Sequence, residues 1–257
     1  MARPFRDEHY RAVPMDAPRE SEAIDLLACT PARLLAGRAG TSYRTATSLE
    51  LRRDHAAARD AVWTELNLPA GLDLPIVQTL AANKQEYLLR PDLGRRFSPS
   101  ARATLAADYP TNADIQVVVG DGLSATAVAA QVPQLLPRLR AGAVERNWSF
   151  GRPFAIRYCR VGILNEIGEL LDPAVVVLLV GERPGLATAE SLSAYMAHRP
   201  RPGHTDAHRN LISNIHARGI GPDDAAARIL GLADEMKRQG TSGVTVKEVL
   251  GGLPSLH

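Results

Sequence analysis

The chain has 257 residues, of which 45% are hydrophobic and 23% are charged, as is typical of a globular protein with a core of ordinary size. The formal net charge is only +2 and no basic cluster is present, which argues against a nucleic-acid partner. No apolar run approaches the ~18 residues of a membrane span, so no membrane partner is predicted. Two cysteines, Cys29 and Cys159, give no disulfide framework and no metal-binding spacing, which indicates a reducing compartment.

The N-terminal part of the chain is predicted to be helical and irregular. Residues 1–20 mix proline, arginine and glutamate with few large apolar side chains, and they predict an N-terminal arm that either stays extended or lies on a partner subunit. Residues 21–110 predict a smaller helical domain. It includes an Ala- and Arg-rich helix over Leu49–Leu66, with His55 on its apolar stripe, and a short helix that starts at Ser98.

Residues 111–257 alternate strand and helix patterns. The most apolar stretch, Ala174–Val180, runs without polar alternation and indicates a central strand buried on both faces. This pattern predicts an α/β domain with a doubly wound, mostly parallel sheet. The predicted strands are Ile115–Val119, Phe154–Ile163, Ala174–Val180 and Leu211–Ile215, a further strand near Gly243–Val246 stays open, and a helix capped by Thr188 or Ser191 is predicted to bury Leu192, Tyr195 and Met196.

Common catalytic and metal-binding motifs are absent from the sequence. Gly120–Ser124 follows a predicted strand, but its sequence GDGLS is neither a dinucleotide-binding G-x-G-x-x-G nor a phosphate-binding loop. The segment GLSAT is not a nucleophile elbow. His204 and His208 have the spacing of metal ligands, but they lie in a Pro/Gly-rich loop without a nearby glutamate. The sequence therefore predicts no catalytic residue and no metal ligand.

Polar side chains instead follow three of the predicted strands. Because the carboxyl ends of parallel strands meet at one edge of a sheet, we expect these side chains to share that edge. They suit hydrogen bonding to a ligand with ribose, amide and phosphate groups better than they suit a nucleophile with its base. The alternative, an ordinary surface pair of Glu182 and Arg183, is equally open from the residues alone. The set comprises Asp121, Ser124, Glu182, Arg183, Ser213, Asn214 and His216.

A family resemblance emerges from seven segments that occur in one order between residues 30 and 216. They are GRAGTSYRT, DHAAARDAV, RPDLGRRF, DGLSATAV, NEIGELL, VGERPGL and RNLISNIH. Together they closely resemble the small (light) subunit of ethanolamine ammonia-lyase. The resemblance implies a cobalamin-binding-like α/β domain that partners a larger barrel subunit. The two subunits would convert ethanolamine to acetaldehyde and ammonia with adenosylcobalamin held between them. The substrate residues would belong to the large subunit, so this chain alone is expected to be inactive.

The resemblance also implies three cofactor-binding positions, which are Val161 in CRVGI, Glu182 in VGER and Leu211 in RNLISNIH. The family pattern has cysteine at the third position (RTCISNIH), so Leu211 is a departure. A backbone contact would survive this change, whereas a thiol contact would be lost. The motif Asp-x-His-x-x-Gly, by which one class of cobalamin proteins inserts a histidine under cobalt, is missing. We therefore expect this chain to bind and orient the cofactor without supplying a cobalt ligand.

Two other interpretations remain open beside the resemblance. The chain could be a stand-alone nucleotide- or flavin-binding α/β module, or a non-catalytic interaction subunit that docks through its N-terminal arm. The resemblance implies the bacterial cytoplasm as the compartment, with a bacterial microcompartment as the narrower alternative. Residues 1–20 would then serve either for targeting or for docking. The sequence determines neither the stoichiometry of the complex nor the order of the strands.

Overall fold

A computed structural model describes residues 37–185 and 188–248, and the predicted arm at residues 1–20 lies outside them. Within the described residues, the helices are α1 (Thr45–Trp63), α2 (Lys84–Leu89), α3 (Pro99–Asp108), α4 (Ala125–Glu145), α5 (Leu164–Leu171) and α6 (Pro222–Gln239). The strands are β1 (Arg38–Ala39), β2 (Ser42–Tyr43), β3 (Ile76–Gln78), β4 (Ile115–Gly120), β5 (Phe154–Arg157), β6 (Val175–Gly181), β7 (Leu192–His198) and β8 (Asn210–Ile215). None of the helices in this described part is long and apolar enough to cross a bilayer.

Six of the described strands form one mixed sheet in the order β3-β5-β4-β6-β7-β8. The pairs among β3, β5, β4 and β6 are parallel, and the pairs β6–β7 and β7–β8 are antiparallel. The predicted α/β class is confirmed. The predicted strands β4, β5 and β6 are parallel, whereas β8, which was also predicted, joins the sheet through the antiparallel strand β7. Because two successive antiparallel pairs restore the direction, β8 runs the same way as β6, and both end at the same edge.

Helices cover both faces of this sheet. Helices α4 and α6 pack on one face through a cluster that includes Val128, Leu135 and Ile229, and α3 and α5 pack on the other through Leu105 and Ile167. Strand β6 lies between these layers with all seven of its residues buried. The prediction of a central strand buried on both faces is therefore confirmed for this stretch, with a shift of one residue at each end.

The helix predicted to bury Leu192, Tyr195 and Met196 is wrong, because these residues belong to strand β7. The three apolar positions fit a helical stripe, but Leu192, Ala194 and Met196 also fit the alternation of a strand, and they face the α4 and α6 layer. Tertiary context decides between the two patterns. Strand β7 pairs with the otherwise unpaired edge of β6 along its whole length. The register runs from Val175 opposite His198 to Gly181 opposite Leu192.

Two further strand predictions need correction. The structure places a short strand, β3, before residue 110, where no strand was predicted, and pairs it with β5. Three residues are too few for a periodic signal. The predicted strand Phe154–Ile163 ends at Arg157, because Tyr158 adopts a left-handed conformation with φ 61°. Residues 243–246, left open as a strand, form a bend and a turn.

The described chain divides into two compact units after Leu49. The hairpin of β1 and β2 belongs to the first unit, and the six-stranded sheet with both helix layers belongs to the second. The boundary predicted at residue 110 stays a prediction. Helix α1 confirms the helix predicted over Leu49–Leu66 in part, but His55 is exposed on it rather than packed.

Candidate functional site

A cavity of about 1050 Å³ lies between α5, the middle of β7, the start of β8 and the loop that joins these two strands. Its wall also includes a turn of 3-10 helix, Val161–Ile163, that follows β5. A volume of this size stands at the upper end of the roughly 300–1,000 Å³ that is usual for small-molecule sites. All of the cavity-lining residues of this chain belong to the second compact unit.

Val161 and Leu211, two of the three predicted cofactor-binding residues, line this cavity together. Val161 is half-buried at the start of its 3-10 turn, and Leu211 is 46% exposed on β8. Leu211 pairs with Tyr195 of β7, which also lines the cavity. Val161 and Leu211, which are 50 residues apart in the sequence, thus contribute apolar side chains to the same cavity.

Glu182, the third predicted residue, is not among the residues that line this cavity. It follows β6, is half-buried, and its backbone N–H donates to the Ser191 carbonyl at 3.0 Å. Burial raises the pKa of Tyr195, and the negative charge of Glu182 raises it further. Among the described residues, no ion pair joins Glu182 to Arg183, so their predicted surface pairing is not formed here.

The expectation that Asp121 and Ser124 face a ligand is wrong. Both side chains are fully buried. Ser124 caps α4 by accepting the Ala127 N–H at 3.2 Å, and it donates to the Ala189 carbonyl at 2.5 Å. Asp121 accepts the backbone N–H groups of Tyr158 at 2.9 Å and Cys159 at 2.8 Å. The loop after β4 therefore supports the neighbouring loop instead of binding from its own side chains.

At the end of β8, Asn214 and His216 form a local turn. Asn214 has a left-handed φ of 63°, and its Oδ1 lies 2.7 Å from Nε2 of His216. The Arg218 N–H donates to Nδ1 of His216 at 3.2 Å, so Nδ1 is the acceptor and Nε2 carries the proton. Burial lowers the pKa of His216, and the positive charge of Arg218 lowers it further. Ser213 stays exposed on the same strand.

The cavity wall also contains charged residues that the sequence did not single out. Their charges are partly neutralised within the wall, since Arg96 lies 3.4 Å from Glu166 and Arg209 pairs with Asp206. No spacing rule could have found them, because they come from separate segments of a chain in which arginine is frequent throughout. The arginines of the wall are Arg95, Arg96, Arg160 and Arg209, and its acids are Glu166, Glu169 and Asp206.

His204 and His208 lie in the loop between β7 and β8. Their rings stack with centroids 4.6 Å apart and planes 9° apart. Burial lowers the pKa of His204, followed by repulsion from His208, which favours neutral rings in the stack. Across the ranges 37–185 and 188–248, no group of three or more His, Cys, Asp or Glu side chains is arranged to hold a metal ion.

Fold and cavity together define a three-layer α/β protein that offers a large, partly apolar cleft between helix α5 and the strands β7 and β8. Comparison with known proteins specifies this class further. Residues 20–247 match the family model described as "Ethanolamine ammonia-lyase light chain". The chain belongs to this family.

Several curated relatives carry the name "Ethanolamine ammonia-lyase small subunit". The chain is 42% identical to the one from Clostridium perfringens over 237 residues, which are 91% of this chain and 80% of the relative. It is 41% identical to the one from Clostridium acetobutylicum over 231 residues, which are 89% of this chain and 96% of the relative. A protein from Listeria innocua is 42% identical over 237 residues, again 91% of this chain and 80% of the relative.

Proposed function

We propose that this chain is the small subunit of an adenosylcobalamin-dependent ethanolamine ammonia-lyase and helps to hold the cofactor at the interface with a large catalytic subunit. Family membership supports the enzyme, and the names of the relatives support a two-subunit assembly. The observation that carries the cofactor role is the cavity that Val161 and Leu211, two of the three expected contact residues, line together.

The residues of the cavity fit a large ligand that is apolar at its rim and carries polar side groups. Val161, Leu211 and Tyr195 would contact the apolar edge of a corrin ring, and the arginines and Asn165 are donors at the same wall. When bound, adenosylcobalamin supplies the homolytic cleavage that starts the radical rearrangement. This chain contributes binding and orientation, and its sequence offers no Asp-x-His-x-x-Gly histidine for the cobalt.

Leu211 in place of the family's cysteine fits a contact made through the backbone or through apolar packing. Its side chain is 46% exposed at the cavity wall, beside Tyr195 on the neighbouring strand. Leucine offers more apolar area than cysteine at this place, so the substitution preserves an apolar contact. A thiol-specific contact is not part of this proposal.

Glu182 is proposed as a hydrogen-bond acceptor for a polar group of the cofactor, such as a ribose hydroxyl. It is half-buried, and among the described residues its carboxylate has no hydrogen-bond or ion-pair partner of its own. A partly desolvated carboxylate gains most from such a donor, because a buried polar group without a partner is costly. No role is proposed for the exposed Arg183.

The central test of this function is whether ethanolamine turnover requires both chains. The chain alone, the large subunit alone and the reconstituted pair are each assayed for ethanolamine turnover with saturating adenosylcobalamin. Turnover that requires both chains is the expected result. Turnover by this chain alone, or tight flavin binding by it, would contradict the proposal.

The proposed compartment is the bacterial cytoplasm, with a microcompartment as the narrower proposal. The sequence of residues 1–20 supports a segment that acts outside the folded body, since it mixes proline and charged residues with few large apolar groups. Either targeting or docking to the large subunit would use it.

A further inference from the structure

The segment Tyr158–Arg160 leads from β5 directly to the cavity, where Arg160 and Val161 form part of the wall. Its conformation is strained, because Tyr158 is a bulky residue with a left-handed φ of 61°. Such backbone persists only where the surroundings hold it in place. The position of Val161 therefore depends on what holds Tyr158 and Cys159.

The side chain of Asp121 binds the backbone of this segment. Its Oδ2 accepts the Tyr158 N–H at 2.9 Å, and its Oδ1 accepts the Cys159 N–H at 2.8 Å. The carboxylate is fully buried, and the ammonium of Lys84, itself only 5% exposed, lies 3.8 Å from Oδ2. Charge-assisted bonds that two successive N–H groups donate to one carboxylate fix the local backbone more tightly than neutral bonds would.

The carbonyl groups of the segment are held as well. The Thr79 hydroxyl donates to the Tyr158 carbonyl at 3.0 Å, and the Tyr87 hydroxyl donates to the Cys159 carbonyl at 2.9 Å. The Arg160 N–H donates to the carbonyl of Gly94 at 2.8 Å. Each backbone polar group from the Tyr158 N–H to the Arg160 N–H thus has a partner.

Gly94 and the Tyr87 ring then direct the Arg160 side chain. A Cβ at Gly94 would lie 2.7 Å from Cγ of Arg160 and 2.8 Å from the Tyr158 carbonyl, so only glycine allows this close approach. The Arg160 guanidinium lies 4.3 Å from the centre of the Tyr87 ring. Backbone and side chain of Arg160 are both fixed on the cavity side.

We propose that Asp121, with Lys84 as its counter-ion, is a positioning residue that sets the Arg160–Val161 wall of the cofactor cavity. Asp121 does not itself line the cavity, and it acts through the two N–H groups that precede this wall. This inference rests on the proposed cofactor-binding function. It predicts that loss of the Asp121 charge weakens cofactor binding although Asp121 never touches the cofactor.

A second carboxylate with similar partners, but partly exposed, precedes the opposite end of β4. Asp114 accepts the Ser149 N–H at 2.8 Å and pairs with Lys237 at 2.7 Å, so it too combines a backbone N–H with a lysine. It lies at the amino end of the strand and does not line the cavity. Asp114→Asn is therefore a control for loss of a structural carboxylate without effect on the wall.

The test measures cyanocobalamin binding to the complex with the large subunit by equilibrium dialysis, together with the Tm of each complex. Asp121→Asn keeps the shape but turns an amide N–H toward one of the two backbone donors. It is expected to raise the dissociation constant about tenfold, whereas Asp114→Asn lowers the Tm and leaves that constant within about twofold. Equal dissociation constants for the two variants would overturn the inference and leave Asp121 a purely structural residue.

Tyr87→Phe keeps the test decisive if Asp121→Asn does not fold. This variant removes only the hydroxyl that bonds the Cys159 carbonyl, and it retains the ring under Arg160. A rise of about threefold in the cyanocobalamin dissociation constant is expected, and an unchanged constant counts against the inference. Failure of the wild-type complex to bind cyanocobalamin would refute the proposed function instead, so the two failures are distinguishable.

Discussion

At the scale of single residues, the apolar residues that line the cavity can be substituted to test the proposed cofactor contact. Leu211 is 46% exposed and lies beside Tyr195, so it can be changed with little disturbance of the core. The cysteine that the family resemblance implies at this position gives a reference substitution. A charged side chain of similar size gives the opposite extreme.

Leu211→Asp is expected to weaken cobalamin binding to the two-subunit complex about tenfold or more, because it places a carboxylate against an apolar ligand edge. The measurement is the dissociation constant of cyanocobalamin. Leu211→Cys is the matched control and should stay within about twofold of the parent chain. Cobalamin binding that tolerates aspartate would show that Leu211 lies outside the cofactor site.

Glu182→Ala is expected to raise the apparent dissociation constant of the cofactor by ~1–3 kcal/mol, the cost of leaving a buried polar group of the ligand without its acceptor. The KM for ethanolamine at saturating cofactor should stay nearly unchanged, because the proposed function places substrate binding in the large subunit. Arg183→Ala, at the exposed neighbour, is the control. An unchanged cofactor constant in Glu182→Ala would reduce Glu182 to a surface charge.

At the scale of elements, His216 in the turn after β8 makes the stability of the folded chain depend on pH. Burial lowers the pKa of His216 below its ordinary value of 6.5, so the folded chain binds fewer protons than the unfolded chain as the pH falls through that value. The stabilisation is present at neutral pH and is lost on acidification. Protonation of Nδ1 would also break the bond from the Arg218 N–H.

The Tm of the chain is therefore expected to fall between about pH 7.5 and 5.5. His216→Asn retains a short acceptor side chain that does not titrate, so its Tm should depend less on pH over this range. His55→Asn, at an exposed helical position, is the control and should keep the parent slope. Identical slopes in the parent and in His216→Asn would show that other groups cause the acid sensitivity.

Secondary structure could be predicted where a segment has enough residues for its pattern to be unambiguous. Strand β6 has an uninterrupted apolar run, and α6 has a proline start and a glycine end, so both follow from sequence. Strand β7 fits two periods at once, and only the free edge of β6 selects the strand. The end of β5 could not be predicted either, because the partner of its next N–H is Asp121, 37 residues earlier.

At the scale of the whole molecule, the sheet edge could be predicted but the cavity could not. Strand ends bring the β4, β6 and β8 loops to one edge, as parallel directions require. The cavity, however, is lined by a 3-10 turn, helix α5 and the β7–β8 loop. No local sequence pattern indicates that these segments lie next to one another. Val161 illustrates the limit, since an isolated apolar residue carries no chemical signal and was found only through the family resemblance.

The central claim is that this chain forms part of the cobalamin site, and one measurement tests it most directly. Cyanocobalamin binding is measured for the large subunit alone, for this chain alone and for the reconstituted complex. We expect the complex to bind at least about a hundredfold more tightly than either chain, because each supplies only one side of the site. An equal affinity of the large subunit with and without this chain would contradict the account.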